Sequence, residues 1–331
     1  MSRRRFLQQT SALGMASLFG LSREASAGPM PETRRIRIAS SASICVAPQV
    51  LAEEMLRAEG FSGVEYPVRR PGTTYPGMLA SGEADLAMAS VELVTALDTT
   101  QSILLLAGVH SGCWELFGNA NVHAIRDLKG KTVAVSAMGA AEHVFLSSMA
   151  AYVGLDPKRD IRWLPAGTYA ESSRAFVQGR ADAFLGFPPQ PQELRAQNVG
   201  HVIVNTSQDR PWSQYFCCMV AARREFVQNN PVATKMALRA ILKAADICSQ
   251  DSEWAARFMV AKGYALRSEV VQEVLEGLRY DRWRDTDPED TIRFHALRLR
   301  EVGMIKSSPQ KLIEQGTDWR FLNELKREMK A

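Results

Sequence analysis

The side chains best placed for chemistry in this chain are hydroxyls, histidines and aromatic rings at the ends of short apolar runs. Ser40 and Ser41 close "RIRIASS", Ser90 closes "LAMAS" and Ser136 closes "KTVAVS". Thr73 and Thr74 stand in "PGTTYPG", His110 follows "SILLLAGV", and His143 lies in "GAAEHVFL". Phe187 ends "AFLGF" just before Pro188-Pro189, and Trp212 sits in "QDRPWSQYF". Hydroxyls so placed hold the polar end of a small ligand, and aromatic faces cover a flat or apolar part. Each residue also has a plain structural reading. Ser40, Ser41 and Ser136 can cap helices, and Thr73 and Thr74 can start one. His143 can be a hydrogen-bonded structural histidine, and Phe187 and the Trp114 of "HSGCWELFG" can be core. Glu92, if it faces the same space, favours an amine or hydroxyl-bearing ligand over a simple anion.

No Ser/His/Asp order, H-E-x-x-H or phosphate-binding glycine loop occurs, so no catalytic residue is assigned. The five cysteines are Cys45, Cys113, Cys217, Cys218 and Cys248. Their number is odd, there is no C-x-x-C, and the spacings match no metal motif. They read as small buried hydrophobes, with one disulfide open to them in an oxidising compartment. Neither a metal nor a cofactor is expected.

The elements that must position these residues come in two matching sets. "RIRIAS", "VEYPV" and "LAMAS" read as strands separated by helices, and so do "KTVAVS", "IRWLP" and "AFLGF". Glycine stops the helices, because a helix end often needs one residue at positive φ. The phrase before each third strand is nearly the same: Gly82, Ala84 and Asp85 recur as Gly179, Ala181 and Asp182. Short apolar strands alternating with helices indicate an α/β architecture with sheets covered on both faces. Two βαβαβ sets predict two lobes, with ligands in the crevice beyond the carboxyl ends of the strands. Helix starts at such ends carry partial positive charge and bind anions without arginine. After Arg223 the pattern turns helical, with starts at Asn230-Pro231, Asp251, Asp287-Pro288, Ser308-Pro309 and Asp318. This tail is expected to pack on the first lobe. The chain is expected to cross between lobes near residues 116–121 and 214–220, giving 35–118 plus 219–331 as the first lobe and 119–218 as the second.

The phrases "LASGEADLAMAS", "IRDLKGKTVAVSAMGAAEHVFL", "AAYVGLDPKRDIRWLPAG" and "QGRADAFLGFPPQP" resemble the solute-binding proteins of ABC importers, in the NMT1/THI5-like branch that takes sulfonates, taurine, nitrate and thiamine precursors. The resemblance runs from Arg35 to about Gln192 and more loosely through the helical tail. It implies a two-lobed periplasmic-binding-protein fold of type II that hands a solute to a permease in the inner membrane. It also implies that "SAMGAAEHVF" forms one pocket wall and that His143 matches a histidine often seen there. The second lobe offers no clear cleft-facing arginine, which departs from a dedicated sulfonate or nitrate receptor. A small organic solute, anionic or aromatic, is the expected partner. Two other readings stay open. One is an enzyme of the thiamine-pyrimidine-synthase type, against which the cysteine pair and the export signal argue. The other is a receptor reporting to a membrane sensor, which fold alone does not separate from a transport receptor.

The 331 residues suffice for two lobes, and 46% hydrophobic with 23% charged residues is a core-forming composition. Residues 1–27 read as an export signal: Arg3, Arg4 and Arg5, a short apolar stretch, then Ala25-Ser26-Ala27. "SRRRFL" resembles the twin-arginine signal, which implies export of the folded chain by the twin-arginine machinery. Cleavage after Ala27 removes Arg3, Arg4, Arg5, Arg23 and Glu24, taking the net charge from +4 to about +1. A nearly neutral monomer in the periplasm is expected, with no nucleic-acid partner.

Overall fold

The computed structural model describes residues 30–39, 43–70 and 73–329. The export signal read at 1–27, together with Ser40 and Ser41, lies outside the described residues. Strands β1 (Arg35–Arg37), β2 (Gly63–Glu65), β3 (Leu86–Ala89) and β4 (Ile103–Ser111) alternate with helices α1 (Ala47–Ala58), α2 (Tyr75–Ala80) and α3 (Glu92–Thr99). After β5 (Glu115–Gly118), strands β6 (Thr132–Val135), β7 (Arg162–Pro165), β8 (Ala183–Gly186) and β9 (His201–Asn205) alternate with α4 (Ala141–Tyr152), α5 (Tyr169–Val177) and α6 (Gln190–Ala196). Strand β10 (Phe216–Arg223) then leads into α7 (Arg224–Asn229), α8 (Pro231–Gln250), α9 (Ser252–Ala261), α10 (Ser268–Glu276), α11 (Pro288–Glu301), α12 (Pro309–Gly316) and α13 (Arg320–Glu328).

The strands form two sheets with one shared order. β1 pairs β2 in parallel, a single parallel bridge from Ile38 to Leu86 joins β1 to β3, and β10 lies antiparallel between β3 and β4. The first order is therefore β2-β1-β3-β10-β4, and the second is β7-β6-β8-β5-β9. In the second, β5 is the antiparallel strand between β8 and β9. Each sheet is thus a βαβαβ set extended by a fourth strand and an antiparallel strand, in the two-lobed type II arrangement. The central strands β3 and β8 are buried along their whole length, as the unbroken apolar runs require.

The antiparallel strands are exchanged. β4 of the first sheet runs on into β5 of the second, and β9 of the second runs on into β10 of the first. The sequence predicts the first crossing at 116–121. Pairing of Leu116 with Leu185 and Val204 puts that stretch on the second sheet already, so the crossing falls at residues 112–114. The return crossing spans residues 206–215. The two crossings touch. Thr206 Oγ1 accepts the N–H groups of Cys113 (3.2 Å) and Trp114 (2.9 Å) and donates to the Trp114 carbonyl (2.9 Å).

The repeated Gly-x-Ala-Asp phrase has two jobs here. Gly82 and Gly179 end α2 and α5 at φ +77° and +71°, as expected of helix stops. The aspartates staple strands. Asp85 accepts the Arg37 N–H of β1 (2.9 Å), pairs with the Arg37 guanidinium (2.7 Å) and reaches Arg223 at the end of β10 (3.3 Å). Asp182 accepts the Thr132 N–H of β6 (2.8 Å) and the Asn119 amide just past β5 (2.9 Å). In each lobe one carboxylate therefore joins the third strand to the first strand and to the antiparallel strand. Asp182→Ala strands the Thr132 N–H, and urea unfolding should show a loss of about 1–3 kcal/mol. An unchanged midpoint would mean that the staple carries no stability.

The helical tail packs mainly on the first lobe, with α8 along α1 and the buried Tyr280 and Trp283 behind β4. α11 also meets the second lobe, where His295 Nδ1 lies 2.9 Å from Ser148 Oγ on α4. No described helix is long and apolar enough to cross a membrane.

Candidate functional site

A cavity of about 130 Å³ lies where the carboxyl ends of the two sheets face each other. The first lobe supplies Met88, Ala89 and Ser90 from the end of β3, Glu92 from the start of α3, and Thr74 and Tyr75 from the start of α2. The second supplies Ser136 after β6, Glu142 in the first turn of α4, Tyr169 at the start of α5 and Phe187 after β8. Cys113 and Trp114 of the crossing, with Cys45 and Cys218, close the floor. This is the placement that strand-end logic requires of an open α/β sheet.

Four of the ten residues expected from sequence line this cavity: Thr74, Ser90, Ser136 and Phe187. Two of these are committed to neighbours. Thr74 Oγ1 accepts the Gly77 N–H and caps α2 (3.1 Å), and Ser136 gives its N–H (2.6 Å) and its hydroxyl to Glu142 Oε1. Thr73 is off the wall, donating to the Arg70 carbonyl (2.7 Å). His143 turns away from the cavity. Its ring meets Trp163 edge-on at 4.6 Å, and Nδ1 accepts the Gly139 N–H (3.0 Å). Burial pulls its pKa down to about 4, so it stays neutral at ordinary pH. Trp212 packs in an aromatic cluster with Phe145, Tyr152 and Phe294, away from the cavity. His110 is wholly buried behind the floor.

Glu142 is what the sequence hides, whereas Glu92 stands on the wall where its place after Ser90 puts it. Glu142 precedes His143 by one residue, which on a helix turns a side chain by about 100°. That rotation points the carboxylate into the cavity and the imidazole away from it. A glutamate in a first helical turn also looks like an ordinary helix-start residue, so its type carries no alarm. Burial raises Glu142, against the lowering effect of the Ser136 hydrogen bonds. Glu92 is 7% exposed, and burial pushes it up to about 7. Its Oε2 has no hydrogen-bond partner among the described residues. The indole Nε1 of Trp114 is also buried without a partner. Two residues of the lining thus each carry a buried polar atom, an acceptor on Glu92 and a donor on Trp114, that no described group bonds.

An aromatic box surrounds these groups. Trp114 lies 5.3 Å from Phe187 and 6.0 Å from Tyr169, and Tyr169 lies 4.0 Å from Phe187. Arg69 is the cation on the wall, its guanidinium donating to the Thr73 carbonyl (2.7 Å) and standing 5.5 Å over the Tyr75 ring. Helix starts α3 and α4 carry Glu92 and Glu142, so their positive ends already face carboxylates.

All five cysteines are buried and unpaired. Three of them, Cys45, Cys113 and Cys218, line the floor, and the Cys217 sulfur lies 2.8 Å from that of Cys113. Hydrogen bonds from Cys113 and Cys218 hold Cys45 below the ordinary thiol range.

The profile described as the NMT1-like family matches residues 30–262. Among curated proteins, the bicarbonate-binding protein CmpA of Synechococcus is 27% identical over 127 residues, which is 38% of this chain and 28% of that protein's length. Among solved structures, the periplasmic nitrate-binding protein NrtA of Synechocystis superposes with a TM-score of 0.76 at 16% identity, covering 91% of this chain and 90% of that one. The alkanesulfonate-binding protein SsuA of Xanthomonas axonopodis, bound to MOPS, superposes at 0.69 with 17% identity, covering 87% and 99%. At such identities these likenesses speak to the fold.

Proposed function

This chain belongs to the NMT1-like family, and from that premise we propose that it is a periplasmic solute-binding protein that closes its lobes on one small organic solute and passes it to an ABC importer. The observation that carries this reading is the cavity between the two sheets, with an unpartnered acceptor on Glu92 and an unpartnered donor on Trp114. A buried polar atom without a partner costs about 1–3 kcal/mol, and a solute that supplies both partners recovers it. The solute therefore carries at least one N–H or O–H group toward Glu92 and one acceptor toward Trp114. Its body is flat or apolar and rests against Tyr169 and Phe187. An apolar cavity of ~150 Å³ holds benzene, so about 130 Å³ suits a solute near the size of one ring.

Two buried carboxylates disfavour a bare inorganic anion. A hydroxyl-bearing or amide-bearing solute, or a small heterocycle, satisfies the wall better. Capture and release need no bond making. The export signal supports a periplasmic location with cleavage after Ala27 and passage through the twin-arginine machinery; N-terminal sequencing of the exported chain tests that point.

The test is calorimetric titration of residues 28–331 at pH 8 with four classes of solute. These are small heterocycles with both donors and acceptors, aromatic amines, sulfonates, and the anions nitrate and bicarbonate. A solute of the first class is expected to bind most tightly and, at 100 times its Kd, to stabilise the fold by about 2.7 kcal/mol. Tight binding of nitrate with no response to heterocycles would overturn the solute assignment. Turnover of any bound candidate would overturn the receptor reading.

A further inference from the structure

We propose that Cys45, His110, Cys113 and Cys218 form a binding site for one soft d10 cation, Zn²⁺ or Cu⁺, at the floor of the cleft. The three sulfurs and one ring nitrogen of His110 lie within 4.8 Å of one another, and all four residues are buried. They come from parts of the chain far apart in sequence. Cys45 is in the turn before α1, His110 is near the end of β4, Cys113 is in the crossing to β5, and Cys218 is in β10. A set of three thiols and one imidazole is the donor chemistry of tetrahedral zinc sites, and thiolates likewise select Cu⁺. Zinc–sulfur bonds of about 2.3 Å place tetrahedral sulfurs about 3.8 Å apart, so a small contraction of the cluster completes the shell.

The histidine is oriented as a ligand. Its Nδ1 lies 3.1 Å from the Gly112 carbonyl, which holds the proton on that nitrogen. Nε2 is then left with its lone pair free, and it is buried without a partner among the described residues. A backbone carbonyl fixing the tautomer of a histidine is the usual outer support of a metal ligand. Tyr280 completes the support, with its ring edge-on to His110 at 5.1 Å and its hydroxyl donating to the Cys45 carbonyl (2.9 Å). An entry path exists, because Cys45, Cys113 and Cys218 also line the cavity.

Cys217 has a different place. A register shift in β10 between Phe216 and Cys218 leaves Cys217 outside the ladder pairing, and its sulfur lies 2.8 Å from that of Cys113. It is a competitor for Cys113 rather than a fourth sulfur of the set. The site stands independently of the solute reading, since it uses none of Glu92, Glu142 or the aromatic box.

The experiment uses residues 28–331 reduced and desalted without oxygen, then loaded separately with Zn²⁺, Cu⁺ and Co²⁺. Metal analysis should find one ion per chain. The cobalt form should show thiolate-to-metal charge transfer and the strong visible bands of a tetrahedral ion. Cys218→Ser and His110→Ala should each weaken the ion by more than about 100-fold, beyond what loss of an outer support costs. Cys217→Ser and Cys248→Ser should keep it. If Cys218→Ser fails to fold, the cobalt spectrum of the unmutated chain still decides. A fully reduced chain that retains no ion overturns the proposal, as does an octahedral cobalt spectrum or equal retention in Cys218→Ser. A chain isolated with a Cys113–Cys217 disulfide that takes up no ion after reduction overturns it too. None of these outcomes depends on which solute the titration finds.

Discussion

Glu92→Gln is expected to stabilise the solute-free protein at pH 8 by about 2–4 kcal/mol and to leave it unchanged at pH 4. The sign follows from where the proton binds. Burial raises Glu92 to about 7 from its ordinary 4.5, so the folded chain holds that proton more tightly than the unfolded chain does. Below pH 4 both forms are protonated and the glutamate costs nothing extra. As pH rises from about 4.5 to 7 the unfolded chain releases its proton first, and folding stability falls. Above pH 7 the loss is complete and constant, and glutamine avoids it. The same substitution should work the other way on binding. A solute N–H or O–H bonded to a charged acceptor is held more strongly than one bonded to an amide, by about 1–2 kcal/mol. Affinity should fall about 5- to 30-fold in the variant, and in the parent it should decline below pH 7 as Glu92 takes up its proton. Thermal melts at the two pH values, with calorimetric titration beside them, check both halves. An equal melting shift at pH 4 and pH 8 would show that Glu92 is not a buried acid.

Gly112→Ala should cost about 2–5 kcal/mol, summing a left-handed backbone strain and an over-packed contact. Gly112 sits at φ +62° in the crossing from β4 to β5. A Cβ there would lie 2.3 Å from Ser207 Cα and 2.5 Å from Ser207 N, on the returning crossing. Backbone stands on both sides, so neither can give way without moving the strands that join the lobes. Gly130→Ala is the comparison, with φ +74° and nothing within 4 Å of its Cβ. It should cost only the strain, about 1–2 kcal/mol. Urea unfolding of the two variants measures the difference, and equal losses would mean that the crossings do not press together at Gly112.

Much of the architecture is legible without coordinates because it rests on local rules. Glycine at a helix end, proline at a helix start and an unbroken apolar strand each have a cause within a few residues. Gly82 and Gly179, Pro231, Pro288 and Pro309 stand where those rules put them. The repeat itself is readable as two lobes for the same reason. The boundary at the first crossing is less so. Leu116 is apolar on either sheet, and only its pairing with Leu185 and Val204 assigns it to the second.

The site divides along the same line. Strand ends are local features, so Ser90, Ser136 and Phe187 could be placed on the cavity wall from sequence. Facing direction on a helix is not, since one residue of phase exchanged His143 for Glu142. What the sequence by itself determined is the alternation of strands and helices, and hence that two sheets open toward a shared crevice. What only the tertiary structure decided is which polar atoms lose water there. Burial is a property of everything packed around a group, so it alone made Glu92 an uneasy acid and left the Trp114 indole without a partner. It likewise brought Cys45, His110, Cys113 and Cys218 within one ion's reach, although no spacing between them suggests it.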